Sequence, residues 1–151
     1  MIRLPKKLLF AVEAVVDIAY HSGSGPVQSG EVSERQGIPP RYLEQVLQHL
    51  VRAGVLTGQR GPRGGYRLAR ERRRISIGEI VRLVESMDKE ADLLQAENGS
   101  AVGLKVVRPL WLELQRKMMA ELDAVTVEDL CQRARAAGIE AADAGRLDFS
   151  I

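Results

Sequence analysis

The stretch that decides the fold is residues 38–70, IPPRYLEQVLQHLVRAGVLTGQRGPRGGYRLAR. Its first half spaces apolar side chains by three, four and seven residues, from Leu43 to Val51, which predicts one buried face of a helix that ends near Gly54. Its second half predicts two short strands, Val55 to Gln59 and Tyr66 to Ala69, joined by a glycine-rich turn. A helix followed by a cationic hairpin is typical of a winged helix-turn-helix, a DNA-binding unit.

The polar face of this helix and the turn of the hairpin carry the candidate DNA contacts. Arginine can pair with guanine, glutamine with adenine, and glutamate can accept from cytosine. Arginines on a loop without apolar side chains can contact DNA phosphates or enter the minor groove of DNA. The predicted contacts are Arg41, Glu44, Gln45 and Gln48 on the helix and Arg60 and Arg63 in the wing. The alternative for the helix is an ordinary solvated face.

Two further interpretations concern the basic residues around the hairpin. GPRGGY alone could pass for a phosphate-binding loop, but it lacks the following Lys-Ser/Thr and the helix that a nucleotide site requires. Arg67 adds to the cationic hairpin, and Arg70, Arg72, Arg73 and Arg74 are predicted to give general attraction to the DNA backbone.

Two helices are predicted before the recognition helix. The first follows Pro5 and buries a stripe through Leu8, Val12, Val15 and Ala19, with Lys7 near its start as a phosphate contact or a solvated lysine. The second is capped by Ser29 and ends at Gly37. Together with the third helix they form the core of a helix-turn-helix.

Composition limits the other possibilities. With 151 residues, 45% hydrophobic and 28% charged, the chain can bury one core. The N-terminal apolar run is interrupted by Glu13 and Asp17, so neither a membrane span nor a signal peptide is predicted, and we expect a cytoplasmic protein. Its single cysteine, Cys131, excludes an intrachain disulfide. No nucleophile–base pair or carboxylate dyad suggests an enzyme.

Charge is divided unevenly along the chain. Residues 1–74 hold 13 Lys and Arg against 6 Asp and Glu, whereas residues 75–151 hold 9 against 14. A basic half suits a polyanion and an acidic half is kept away from it. The division therefore favours a nucleic-acid partner for the N-terminal half, although two solvated surfaces of opposite sign would give the same counts.

The segment from Gly25 to Glu85, with SERQGI, PRYLEQVL, RAGVL, RGPRGGYRLAR and ISIGEIVRLVE, resembles the Rrf-type family of bacterial winged-helix regulators. The likeness resumes at Leu110-Trp111 and at TVEDL, residues 126–130. It implies a homodimer on a near-palindromic operator in double-stranded DNA. It also implies that the residues matching Arg41, Glu44 and Gln45 approach bases and that Arg60 starts the wing.

The same resemblance separates this chain from the iron–sulfur members of the family. Those members carry three cysteines in the region that corresponds to residues 87–104, and a further ligand such as histidine just before the Leu-Trp pair. This chain has no cysteine there, and Lys105 and Arg108 stand before Leu110-Trp111. We therefore predict no cluster and no other cofactor. An alternative is a different metal held by Asp88, Glu90, Asp92 or Glu97.

A long apolar helix is predicted in the acidic half. Apolar side chains step by three and four through Val107, Leu110, Leu114, Met118 and Leu122, with Pro109 in the first turn. Pairing with a second copy would bury this dimerisation stripe, and packing within one chain is the alternative. Ser76 and Thr126 are predicted to cap the helices that flank it.

Cys131 is interpreted as a small buried hydrophobe, with redox sensing as the alternative.

The acidic tail ends in Asp148, Phe149, Ser150 and Ile151. It resembles the C-termini of family members that control cysteine metabolism and bind O-acetylserine sulfhydrylase through a terminal isoleucine, so this enzyme is a candidate partner. A frayed tail is the alternative.

The sequence thus predicts a mainly α protein with a small β-wing. The winged helix-turn-helix domain spans residues 1–86, a loop 87–104, the dimerisation helix and a following helix 105–137, and the tail 138–151. The predicted function is a dimeric transcription regulator, a repressor, of sulfur-metabolism or stress genes. The alternative is a protein-interaction module of the same fold that no longer reads DNA.

Overall fold

The computed structural model describes residues 2–88 and 92–142. Its helices and strands are α1 Lys6–His21, α2 Ser29–Gln36, α3 Pro40–Arg52, β1 Leu56–Gln59, β2 Gly65–Leu68, α4 Ile77–Glu85, α5 Arg108–Asp123 and α6 Val127–Ala136. Short 3₁₀ turns lie at Arg72–Arg74 and Leu93–Gln95. The prediction of a mainly α winged helix-turn-helix protein is confirmed.

Helix α1 is the centre of the core. It packs against α2, α3, α4 and α6, so its buried surface is wider than one stripe. Leu8, Val15 and Ala19 of the predicted stripe are enclosed together with Ala11, Ala14 and Ile18, whereas Val12 is only half-buried. The buried surface is therefore wider than the predicted stripe, because a helix covered by four others has no single solvent face.

The wing is a two-stranded antiparallel hairpin with a third segment beside it. Leu56 pairs with Leu68 and Gln59 with Gly65. Val27 adds a bridge, because its N–H donates to Tyr66 O at 2.9 Å and its oxygen accepts from Tyr66 N–H at 2.7 Å. A Cβ on Gly65 would lie 2.6 Å from Val27 O, so only glycine lets the two backbones approach this closely.

The helix caps agree in part with the sequence patterns. Gly37 ends α2 in the left-handed conformation at φ 64°, as predicted, but Ser29 lies inside α2, and Gln28 takes the cap position without capping the helix through its side chain. Thr126 and Asp129 form a reciprocal capping box at α6. Ser76 accepts from Glu79 N–H at 3.1 Å. The Glu79 carboxylate pairs with Arg70.

The helix that contains α5 begins earlier than predicted. Backbone turns are helical from residue 101, and Gly103–Val107 form a π turn in which Arg108 N–H donates to Gly103 O. Pro109 therefore lies within a continuous helix and not in its first turn. A proline ring collides with the carbonyl four residues earlier in a regular α-helix, and the wider π turn changes that geometry.

The C-terminal half folds back onto the winged domain. Val127 N–H donates to Ile75 O at 2.9 Å, and Ile77 N–H donates to Val125 O at 2.8 Å. Val127 and Cys131 are enclosed in the same core as α1. Within the described residues, no helix is long and apolar enough to cross a membrane.

Candidate nucleic-acid interface

Helix α3 has an apolar face that is buried and a polar face that is exposed. Its apolar face is buried through Leu43, Val46, Leu47 and Leu50. The four predicted contact residues Arg41, Glu44, Gln45 and Gln48 are all exposed. Because Pro40 occupies the first helical position, Arg41, Glu44 and Gln45 fall in the first two turns. This is the part of a recognition helix that approaches base edges in helix-turn-helix proteins.

The wing stands beside this polar face. Arg60 and Arg63 are exposed at the hairpin turn. A groove of about 440 Å³ lies between α3 and the wing and is lined by Gln48, Val51, Arg52, Gly58, Gln59, Arg60 and Tyr66. Burial raises the pKa of the Tyr66 phenol, and the negative charge of Glu44 raises it further. The structure thus brings Gln48 and Arg60 together in one groove, and the DNA contacts of all six residues stay a prediction.

The N-terminus of α2 is attached to the tip of the wing. Gln28 Nε2 donates to Pro62 O at 3.1 Å. A second groove, of about 470 Å³, is lined by Ser24, Gly25, Pro26, Gln28, Glu31, Pro62, Arg63, Gly64 and Arg67. The position of the wing is therefore fixed from both sides, by α3 and by the segment before α2. No local sequence pattern indicates the Gln28 and Val27 contacts, because they join residues that are distant along the chain.

Lys7 occupies a different environment from the wing arginines. Its amine forms an ion pair with Asp88, and its backbone oxygen accepts from the Tyr42 hydroxyl at 2.8 Å. Asp88, one of the candidate metal ligands, is thus opposed by a lysine. The start of α1 lies next to α3, and a role for Lys7 at a phosphate would require exchange of its carboxylate partner.

Two arginines that were predicted to attract the DNA backbone are bound within the protein. Arg70 donates to Gly54 O at 3.3 Å and pairs with Glu79. Arg72 donates to Ala19 O and lies 3.9 Å from the Glu128 carboxylate. Nearby carbonyl and carboxylate oxygens hold these two guanidinium groups, and their attraction to the DNA backbone stays a prediction. Arg73 and Arg74 are exposed.

Sequence reasoning also missed a buried ionic cluster that holds α1 against α2. The Asp17 side chain is fully enclosed and accepts from Arg35 Nε at 2.9 Å and Arg35 Nη2 at 2.7 Å. Gln36 Nε2 donates to Asp17 Oδ2 at 2.7 Å. The bond with Asp17 raises the pKa of Arg35. An acid between Val16 and Ile18 on an apolar helix is the only local signal of this cluster.

Most of the predicted dimerisation stripe is open to solvent in the single chain. Val107, Leu110, Leu114 and Met118 are 46%, 53%, 45% and 53% exposed. Leu122 differs, because it is partly buried against the chain's own core, as is Met119. Helix α5 therefore has two apolar faces. One packs on α4 through Met119 and Leu122, and the other faces outward.

These features define the class of protein: a winged helix-turn-helix fold with an exposed polar recognition helix, an arginine-bearing wing and an outward apolar helix. The family model of Rrf2, described as an iron-dependent transcriptional regulator, matches residues 4–133. The chain therefore belongs to the Rrf2 family of transcriptional regulators.

Curated relatives and solved structures agree with this membership. The HTH-type transcriptional regulators IscR of Xenorhabdus nematophila and of Cronobacter sakazakii are each 38% identical over 130 residues, which is 85% of this chain and 78% and 79% of those proteins. The structure of T. potens IscR aligns with a TM-score of 0.73 and 33% identity, covering 93% of this chain and 94% of that one. These relatives are regulators and not enzymes.

A second solved structure is that of CymR, described as the global cysteine regulator of B. subtilis. It aligns with a TM-score of 0.68 and 27% identity, covering 88% of this chain and 98% of CymR. The present chain thus shares its fold both with IscR and with a cysteine regulator, so the fold alone does not indicate which genes it controls.

The residues of this chain do not fit the iron dependence in the family description. Both histidines and the single cysteine, at positions 21, 49 and 131, lie outside residues 85–125. Cys131 is buried, and burial raises the pKa of its thiol, which disfavours the thiolate that binds iron. No group of three or more potential ligands occurs within residues 2–88 and 92–142.

Proposed function

We propose that this protein is a dimeric DNA-binding transcription regulator that reads a near-palindromic operator and acts as a repressor. One observation carries the proposal: Gln48 of α3 and Arg60 of the wing line one groove, and Arg41, Glu44 and Gln45 of the same helix and Arg63 of the wing are also exposed. Side chains with complementary donors and acceptors for base edges thus adjoin cations suited to phosphates.

The outward apolar stripe of α5 supports the dimer. Four large apolar side chains exposed along one helix face are costly in water, and a second copy related by two-fold symmetry would cover them. A two-fold dimer places two α3 helices in equivalent positions, and such a pair reads an inverted repeat. Repression follows most simply, because a dimer on a promoter excludes polymerase without any further contact.

Selection from a pool of random DNA sequences tests this function even though the operator sequence is not known. The full-length protein is expected to enrich one inverted repeat whose half-sites are separated by about one helical turn, roughly 10 base pairs. Enrichment of no sequence would reject the proposal. It would favour the alternative of a winged-helix interaction module, for which the acidic second half offers a surface.

We further propose that the regulated genes belong to sulfur metabolism and that the tail binds O-acetylserine sulfhydrylase. The similarity to CymR and the terminal sequence Asp148, Phe149, Ser150, Ile151 support this. The four tail residues lie outside the described residues. A terminal isoleucine can enter an apolar slot while its carboxylate takes the place of an amino-acid carboxylate.

A pull-down with purified sulfhydrylase tests the partner. The full-length chain is expected to retain the enzyme, and a chain that lacks Ile151 is expected to lose it. Equal recovery by both chains would reject the partner while leaving the DNA-binding function untouched.

A further inference from the structure

Arg108 closes the loop in front of α5. Its Nη1 donates to Ala96 O at 2.7 Å and its Nη2 donates to Asn98 O at 2.9 Å. A guanidinium group donates through a rigid planar fork, and bonds from a charged donor are stronger than neutral ones. One side chain of α5 therefore fixes two carbonyl groups that lie two residues apart in the loop.

The loop backbone is shaped around this guanidinium. Gly99 has φ +149°, and a Cβ at that position would lie 2.8 Å from Arg108 Nη2. Residues with a Cβ rarely adopt this φ, and an added Cβ would displace the guanidinium. Both ends of the loop are fixed as well, since Asp92 accepts from Leu94 N–H at 3.0 Å and Ser100 Oγ accepts from Gly103 N–H at 3.0 Å.

The position of Arg108 conflicts with a bound cation. The loop belongs to residues 87–104, where the family resemblance puts the ligands of a cluster. A guanidinium remains protonated, donates only, and carries a full positive charge. The carbonyl oxygens of Ala96 and Asn98 that could face a metal are already engaged by Arg108.

We propose that residues 92–100 and Arg108 form a metal-independent closure, so that DNA binding by this chain does not respond to iron. The hydrogen bonds of Arg108 hold this loop in one conformation without a bound metal or cluster. The statement about DNA binding rests on the proposed function, whereas the closure itself does not.

Iron loading tests whether the chain binds iron and whether iron changes its affinity for DNA. Full-length protein is incubated without oxygen with ferrous iron, sulfide and a thiol, and then desalted. We expect less than about one iron per ten chains and no visible absorption band. Affinity for the selected DNA should change by less than about twofold upon this treatment or upon addition of a chelator. Stoichiometric iron, or a larger change in affinity, would overturn the proposal.

Cleavage after Glu97 by a Glu-specific protease tests the closure, because Glu97 lies between the two carbonyls that Arg108 holds. Arg108→Ala should release the fragment ending at Glu97 roughly tenfold faster than the wild type does. Gly99→Ala should act in the same direction by displacing the guanidinium. Lys117→Ala is the matched control, because the Lys117 amine pairs with Glu113 on the same helix at 3.2 Å.

The two tests have separate outcomes. Equal cleavage rates for the wild type and both loop variants, with unchanged helical circular dichroism, would reject the closure. If the wild type selects no DNA sequence, the proposed function fails, and the iron content and the cleavage rates still decide whether the closure exists.

Discussion

Asp17 and Arg35 link α1 to the first helix of the helix-turn-helix. The Asp17 carboxylate is enclosed, whereas the Arg35 side chain is 30% exposed and can reach solvent if its partner is lost. Removing Arg35 and removing Asp17 should therefore lower the stability of the protein by different amounts. Loss of the arginine strands a buried negative charge, and loss of the carboxylate leaves a cation that can be hydrated.

Arg35→Ala is expected to lower the free energy of unfolding by about 3 kcal/mol. Asp17→Asn should lower it by a smaller amount, about 1–2 kcal/mol, because the amide keeps part of the hydrogen bonding. Denaturant unfolding followed by circular dichroism measures both. Glu13→Gln on the same helix is the control and should change stability by less than about 0.5 kcal/mol. Equal losses for the two cluster variants would contradict this account.

Cys131 gives a second prediction at the scale of one residue. Its side chain is enclosed, and burial raises the pKa of the thiol even though Arg72 and Arg135 act in the opposite direction. Cys131 should therefore react with a thiol reagent at pH 8 about tenfold more slowly, or slower still, in the native protein than in denaturant. Rapid stoichiometric reaction of the native protein would revive the redox-sensing alternative.

At the scale of elements, the wing depends on a close backbone approach. Gly65→Ala should separate Val27 from Tyr66, since the added Cβ would meet Val27 O at 2.6 Å. We expect faster exchange of the Tyr66 amide proton and weaker DNA binding, with helical content preserved. Gly30→Ala is the control for stability, because a Cβ there meets nothing within 4 Å. Unchanged amide exchange in Gly65→Ala would show that the bridge does not hold the wing.

Helix α5 carries the prediction about assembly. Leu114→Glu places a charge in the outward stripe, where Leu114 is 45% exposed in the single chain, and should convert a dimer into a monomer. Sedimentation velocity measures the change. Ala120→Glu adds the same charge at an exposed position on a different face of the helix and should leave the dimer intact. A monomeric wild type, or a dimeric Leu114→Glu variant, would contradict the proposed interface.

The elements differed in how far the sequence could predict them. Helix α3 was predictable because its apolar residues keep a helical period and Gly54 follows it, and the wing was predictable because glycines interrupt two strand-like runs. The Val27–Tyr66 bridge, the Asp17–Arg35 pair and the contacts of Arg108 were not predictable. Each joins residues 10 to 39 positions apart, and side-chain identity does not specify such a partner.

For the whole molecule, the uneven distribution of charge fits a dimer formed through α5 that binds DNA with its basic halves. The basic N-terminal half contains the helix and wing that adjoin each other, and the acidic half contains α5 and its outward stripe. A dimer through α5 would place the acidic surfaces together and leave the basic surfaces for DNA. Such a protein should bind DNA more weakly as salt rises, because each phosphate contact releases counterions.

Base preference of variants on the selected operator tests the central claim most directly. The measurement is fluorescence anisotropy with the operator and with single-base changes in one half-site. Gln45→Ala should lose discrimination at one base pair, by about 1–3 kcal/mol, whereas Arg60→Ala should weaken binding to all sequences. Arg116→Ala, which removes an exposed arginine on α5 in the acidic half, is the control. If Gln45→Ala and Arg60→Ala retain wild-type affinity and base preference, α3 and the wing are not the reading surface.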